Sequence, residues 1–124
     1  MDYLIILLQA IVGLSILNVW LLQREKATRW RGGDATTIFE EFHVYGLPTW
    51  SVYVIGTLKV ILALALLAGI WYEGLIFPAA TGLAILLAGS VVMHLKIGDP
   101  LLKSFPAALF LTMCLVLAYA TYPA

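Results

Sequence analysis

The chain reads as an all-α polytopic membrane protein, with four transmembrane helices in a bundle and a short amphipathic interfacial helix in the first loop. Three observations predict this. Of 124 residues, 63% are hydrophobic and 11% charged, and the mean hydropathy of +1.01 lies outside the range of an ordinary soluble domain. The apolar residues gather into four segments, about 3–22, 50–70, 75–95 and 101–122, each of a length that spans a hydrocarbon core of ~30 Å at ~1.5 Å per residue. The segments are uniformly apolar rather than alternating, which excludes the ~10-residue strands of a barrel; in lipid a backbone must then satisfy itself as helix. A chain of this size makes one membrane domain, 1–124.

The first segment has no basic residues before it, and its apolar run exceeds that of a signal peptide. No small-residue cleavage site follows Trp20-Leu21-Leu22, so it is expected to be retained as a span. Gln9, at mid-span, is expected to bond a neighbouring helix. Ser15 and Asn18 share a side near the inner end.

The first loop passes from a basic stretch, 23–31, through Gly32-Gly33 into a helical pattern over about 35–45. Asp34 is placed to cap it, Gly46 to end it in the left-handed conformation, and Pro48 to stop continuation. Ile38, Phe39, Phe42 and Tyr45 fall on one face, and Glu40, Glu41 and His43 point toward water or a partner. The simpler reading is a helix lying in the membrane interface. The alternative is a lid over the mouth of the bundle.

The second span carries a lysine, Lys59, on the same face as the small residues Gly56 and Ala63. A lysine at mid-span costs ~2.5–3.5 kcal/mol on insertion scales, and the small neighbours argue that it faces a helix. Glu40, Glu41, Asp99 or the Asn18 amide are its candidate partners. A polar clamp, snorkelling to the interface and contact with a ligand all remain open for it. In the third span Ala80, Ala84 and Ala88 form a stripe leading through Val91 to His94. The helix C-terminus suits a cation there, beside Lys96. A haem or metal would need the pair His43 and His94. In the last loop Gly98 makes the turn, Asp99 is placed as N-cap and Pro100 as first helical residue. Pro106 is expected to kink the fourth helix. The single cysteine, Cys114, excludes an intrachain disulfide and reads as a small buried group.

Packing of the four helices would bring Asn18, Lys59 and His94 together in one half of the bundle, with Glu41 and Asp99 within reach from the loops. These five are the candidate ligand-binding residues. No catalytic or metal-ligating constellation, phosphate-binding loop or nucleic-acid signature occurs. Arg24, Lys26, Arg29 and Arg31 in the first loop and Lys96 and Lys103 about the third predict that these loops are cytoplasmic and both termini outside. Trp20, Trp30, Tyr45, Trp50 and Tyr53 would form an inner aromatic belt, and Tyr3, Trp71, Tyr72, Tyr119 and Tyr122 an outer one.

Tyr45-Gly-Leu-Pro-Thr-Trp50, Leu58-Lys-Val-Ile-Leu-Ala-Leu-Ala-Leu-Leu-Ala-Gly69 and Met93-His-Leu-Lys-Ile-Gly-Asp-Pro-Leu-Leu-Lys-Ser-Phe-Pro106 together resemble the DoxX-like family over nearly the whole chain. The family takes its name from a small subunit of an archaeal thiosulfate:quinone oxidoreductase. Relatives are linked to membrane oxidoreductase complexes and, in animals, to receptor-assembly chaperoning. Many members look as if they carry glutamate where this chain has Lys59, so the resemblance transfers the polar position but not an acidic, proton-handling role. It implies a non-catalytic subunit or assembly partner of a membrane complex, one linked to quinone, in a bacterial inner membrane. The residues themselves support a second reading, a binding module in which Asn18, Lys59 and His94 hold a quinone or lipid headgroup. No other cofactor is suggested. Partners are the lipid bilayer and either a second copy of the chain or a protein of the complex.

Overall fold

A computed structural model of the chain describes residues 3–22, 31–33, 35 and 37–123. It is all-helical among these residues. Helix α1 (Tyr3–Leu17) runs on into a π-helical turn, Asn18–Leu22. A short α2 (Ile38–Val44) precedes α3 (Thr49–Ala68), and a 3₁₀ turn (Glu73–Leu75) leads into α4 (Ile76–Lys96). A second 3₁₀ turn (Leu101–Ser104) opens α5 (Phe105–Ala120). Four of these stretches, Tyr3–Leu22, Thr49–Ala68, Glu73–Lys96 and Leu101–Ala120, are long and apolar enough to cross a membrane. The protein is an integral membrane protein.

The long helices form a closed ring in which α1 packs on α3 and α5, and α4 packs on α3 and α5, while α2 lies against α3. Val12, Ala63, Leu66, Ala80, Leu83, Cys114 and Leu117 are fully buried at the centre. Leu4, Leu14, Ile61, Leu64 and Leu115 are exposed on the outside, as lipid-facing side chains must be. Gln9 is buried and donates from Nε2 to the Leu66 carbonyl at 2.9 Å, tying α1 to α3 through a backbone acceptor that α3 itself leaves accessible.

Two helix ends on one side of the bundle close in the same way. At the end of α2, Gly46 takes φ +85° while its N–H donates to His43 O and Leu47 N–H to Phe42 O. At the end of α4, Gly98 takes φ +71°, with Gly98 N–H donating to Leu95 O and Asp99 N–H to His94 O. Both are Schellman closures, which need a residue tolerant of the left-handed region. No atom lies within 4 Å of where a Cβ on Gly98 would stand, so Gly98→Ala meets no steric obstacle and carries only the backbone cost. It should destabilise the protein by ~1 kcal/mol, read as a lowered melting temperature in detergent.

Several expectations are corrected. Asp34 lies outside the described residues; the N-cap of α2 is Thr37, whose hydroxyl accepts the Glu40 N–H at 3.1 Å. Pro106 does not kink α5 but stands in its first turn. A proline there sacrifices no helical hydrogen bond, and the four residues before α5, Leu101–Ser104, turn as 3₁₀ instead. Asp99 does not cap the last helix either, because its carboxylate is taken up elsewhere, as described below. Trp20 and Tyr45 are buried at 6% and 5% exposure and so are not interfacial anchors. Trp50, Tyr53, Trp71, Tyr72, Tyr119 and Tyr122 are exposed, as is Tyr3. Trp30 lies outside the described residues.

Candidate functional site: a lidded cavity in the α2 half of the bundle

A cavity of about 530 Å³ opens inside the bundle beneath α2, within the size range of small-molecule sites. Its walls come from the end of α1, from α3 and α4, and from the start of α5, with α2 above. Asn18, Lys59, His94 and Glu41 all line it. Asp99 is not on the wall but stands behind His94.

Lys59 is 8% exposed. Its ammonium donates to Ser90 Oγ at 3.4 Å and lies 5.4 Å from the centre of the Trp20 ring. Among the described residues no carboxylate is within ion-pair distance of it, so the expectation of a clamp by Glu40, Glu41 or Asp99 is corrected. The stabilisation in place is one long hydrogen bond, a cation–π contact worth ~0.5–2 kcal/mol, and the more distant charge of Glu41. The Trp20 ring reaches this position because position 56 is glycine: a Cβ there would stand 2.7 Å from the ring. The π turn, with its extra residue per turn, occurs where the chain turns Trp20 inward below Ile16.

Glu41 does not point to water. Its side chain is 12% exposed, with Oε1 3.9 Å from Arg31 Nη1, and Oε2 accepts the Gly32 N–H at 2.5 Å. The cause is the segment 31–33, which folds under α2 and brings its own donors to the carboxylate. Burial pulls the Arg31 guanidinium below its ordinary value, against the raising influence of Glu41 and Tyr45. Glu40 and His43 are on the exposed side of α2.

A chain of contacts links the lid to the last loop. The Tyr45 hydroxyl is 3.3 Å from His94 Nε2, and His94 Nδ1 is 2.8 Å from Asp99 Oδ2. The Asp99 carboxylate accepts the proton on Nδ1, and the Tyr45 hydroxyl, which also hydrogen-bonds the Glu41 carboxylate, faces Nε2. Gly33 N–H donates to both oxygens of the Asp99 carboxylate, at 3.0 and 3.3 Å. Lys96 Nζ donates to Tyr45 O at 3.1 Å, and Lys103 Nζ to Gly33 O. Both ring nitrogens of His94 are therefore engaged, and His43 is exposed, so the two histidines do not form an axial pair. Among the described residues no three of His, Cys, Asp and Glu are grouped as a metal site would need.

Burial, and then the Glu41 carboxylate, raise the Tyr45 phenol well above its ordinary value, so it is a protonated donor throughout the physiological range. Burial raises the Asp99 carboxyl, but the His94 hydrogen bond, the Gly33 N–H and the Lys103 charge together outweigh it and leave its pKa lowered from 3.8. A carboxyl lowered on folding adds stability at pH above its unfolded value and loses that share as pH falls through the folded value. The melting temperature in detergent should therefore hold between pH 6 and about 4 and drop below that, and the Asp99→Ala protein should lose this acid limb.

The residues that sequence reasoning missed are Trp20, Ser90, Phe42 and Tyr45. Ser90 had a signal, since Leu83, Leu87, Ser90 and His94 follow helical spacing on one face of α4. Trp20 had only its four-residue spacing from Ile16. Phe42 stands edge-on to Trp20 at 6.0 Å, Tyr45 is tilted against Phe42 at 6.1 Å and His94 is edge-on to Tyr45 at 5.7 Å. Aromatic rings thus run along the wall from Lys59 to Asp99.

Compared with known proteins, the chain matches the model of the DoxX-like family over residues 31–118. This chain belongs to the DoxX-like family. The match takes in α2, α3, α4 and most of α5, hence the lid, Lys59, Ser90, His94 and Asp99. No curated protein and no solved structure matches the chain. Within this DoxX-like protein the site is therefore defined by its own geometry, a buried ammonium, an aromatic wall and a hydrogen-bonded lid over an apolar cavity.

Proposed function

We propose that this DoxX-like protein binds a membrane-dissolved amphiphile whose headgroup is a carbonyl-bearing ring of the quinone type, with the head at Lys59 and the tail along the apolar part of the cavity. The observation that carries the reading is Lys59 itself, an ammonium on the wall of a cavity with no carboxylate among the described residues at ion-pair distance, the Glu41 charge acting on it only from further away. Its three N–H groups exceed what Ser90 can accept, and a quinone oxygen accepts without donating. Trp20, Phe42 and Tyr45 offer flat apolar surfaces to a ring. The donor set thus fits a quinone. Arg31, Lys59 and Lys103 against Glu41 leave the lining net positive, which suits an anionic head as well.

Titration of the protein in phosphatidylcholine nanodiscs with a decyl-tailed benzoquinone, followed by the quenching of Trp20 fluorescence, tests the reading. A saturable quench that a Trp20→Phe protein lacks is expected. A non-saturating quench, equal in both proteins, would remove the quinone reading, and protection by dodecyl phosphate alone would put an anionic lipid head in its place.

We also propose a place as a small, non-catalytic subunit of a quinone-linked oxidoreductase complex, in which the bound quinone exchanges electrons with a redox partner. In this reading the protein resides in a bacterial inner membrane, with α2 and the 97–104 loop on the cytoplasmic side and both termini outside.

A further inference from the structure

Among the described residues α2 covers one side of the cavity, and part of the cavity lining is exposed on the flank of the bundle. Above it Ile38, Phe42 and Tyr45 are buried. The lid is held down at separate points, by Lys96 on the Tyr45 carbonyl, by Glu41 on Gly32 and by Asp99 on Gly33. On the flank the pattern reverses. Asn18 and Val19 on the π turn of α1, and Ile85 and Gly89 on α4, line the cavity and yet are exposed on the outside of the bundle, Ile85 to 68%. A Cβ on Gly89 would meet no atom within 4 Å, so open space adjoins the cavity wall at that point. These four residues belong to stretches that are apolar enough to lie in the membrane.

From this we infer that the ligand reaches Lys59 sideways from the hydrocarbon layer, through an opening on the α4 flank beside Ile85 and Gly89. The inference rests on the binding reading above and narrows it. A water-soluble anion would have to displace the latched lid or cross hydrocarbon as a charge, which is costly. A molecule already dissolved in the bilayer needs neither. Ile85 and Gly89, at this threshold, carry no polar side chain, which suits the passage of an apolar tail. The ligand class is accordingly restricted to bilayer-soluble molecules with a compact polar head and an unbranched or isoprenoid apolar tail that trails through the opening into the lipid.

The test uses full-length protein in phosphatidylcholine vesicles, mixed rapidly with vesicles that carry decyl-tailed benzoquinone, with the Trp20-dependent quench recorded against time and a Trp20→Phe preparation as blank. Gly89→Phe places a ring in the open space and leaves Lys59 untouched; it should slow the quench at least ten-fold and preserve its final amplitude. Lys96→Met loosens the lid from outside the cavity and should leave the rate within two-fold. Gly89→Leu, a smaller plug, should fall between, and it stands in if Gly89→Phe does not fold. An unchanged rate in both Gly89 variants would overturn the inference, as would a ten-fold faster quench in Lys96→Met alone. A reduced amplitude at unchanged rate would make Gly89 part of the wall and overturn it too. Absence of any Trp20-dependent quench in the unmodified protein would instead strike the binding reading, and this route with it.

Discussion

Replacing Lys59 by methionine is expected to remove at least nine-tenths of the affinity for the benzoquinone probe and to leave the bundle as stable as before, or more so. A hydrogen bond to a charged group contributes ~1.5–3 kcal/mol, and each ~1.4 kcal/mol is ten-fold in affinity, so the loss should lie between about ten- and a hundred-fold. The stability half separates a ligand site from a structural clamp. Lys59 is buried with one hydrogen bond at 3.4 Å and, among the described residues, no carboxylate at ion-pair distance. Removing it relieves the cost of a mid-span charge, ~2.5–3.5 kcal/mol on insertion scales, and forfeits a cation–π contact of smaller size. Methionine fills a similar volume without a charge. A clamp would behave in the opposite way, with the melting temperature falling and binding following it down. Titration and thermal melting of the same two preparations check both halves.

Asp99→Ala should have the largest effect on stability, a loss of ~2–4 kcal/mol. The carboxylate accepts from the Gly33 N–H and from His94 Nδ1. Its removal leaves a backbone donor and a ring nitrogen without their acceptor in a part-buried place, each worth ~1–3 kcal/mol. His94 then loses the contact that fixes its ring against Tyr45, and the lid loses its tie to the last loop. Hydrogen exchange should accordingly rise over residues 31–46 and not over α5 above Pro106. Asp99→Asn keeps one oxygen for one of the two donors and should lose about half as much. A uniform rise across all the helices would instead mean that Asp99 supports the bundle rather than the lid.

What could be read from the sequence follows the range of the interaction. The spans were legible because burial in lipid imposes a length and an apolar composition on each segment by itself. Gly46 and Gly98 were legible because a left-handed helix end is a local demand on one residue. Lys59 announced itself because a charge is out of place at mid-span, and the convergence of Asn18, Lys59 and His94 could be anticipated from helical spacing and small-residue faces. The failures at Asp99, Glu41 and Trp20 each involve a partner outside the residue's own helix or turn. Asp99 has the residue type and place of an N-cap, but Gly33, sixty-six residues earlier, competes for its carboxylate. Glu41 falls on the polar side of a helical wheel, and only the fold of 31–33 beneath α2 turns that side inward. Trp20 resembles any interfacial tryptophan until Gly56 supplies a flat surface for it.

We propose that the cavity at Lys59 holds a bilayer-soluble quinone-type ligand. The most direct measurement is a native mass spectrum of the protein extracted from its own membrane in mild detergent, recorded beside the Lys59→Met variant. One retained small molecule per chain is expected, with the mass of a tailed quinone, at full occupancy in the unmodified protein and lost from the variant. An equal lipid or quinone mass in both would contradict it, as would a bare chain or a stoichiometric protein partner with no small molecule bound.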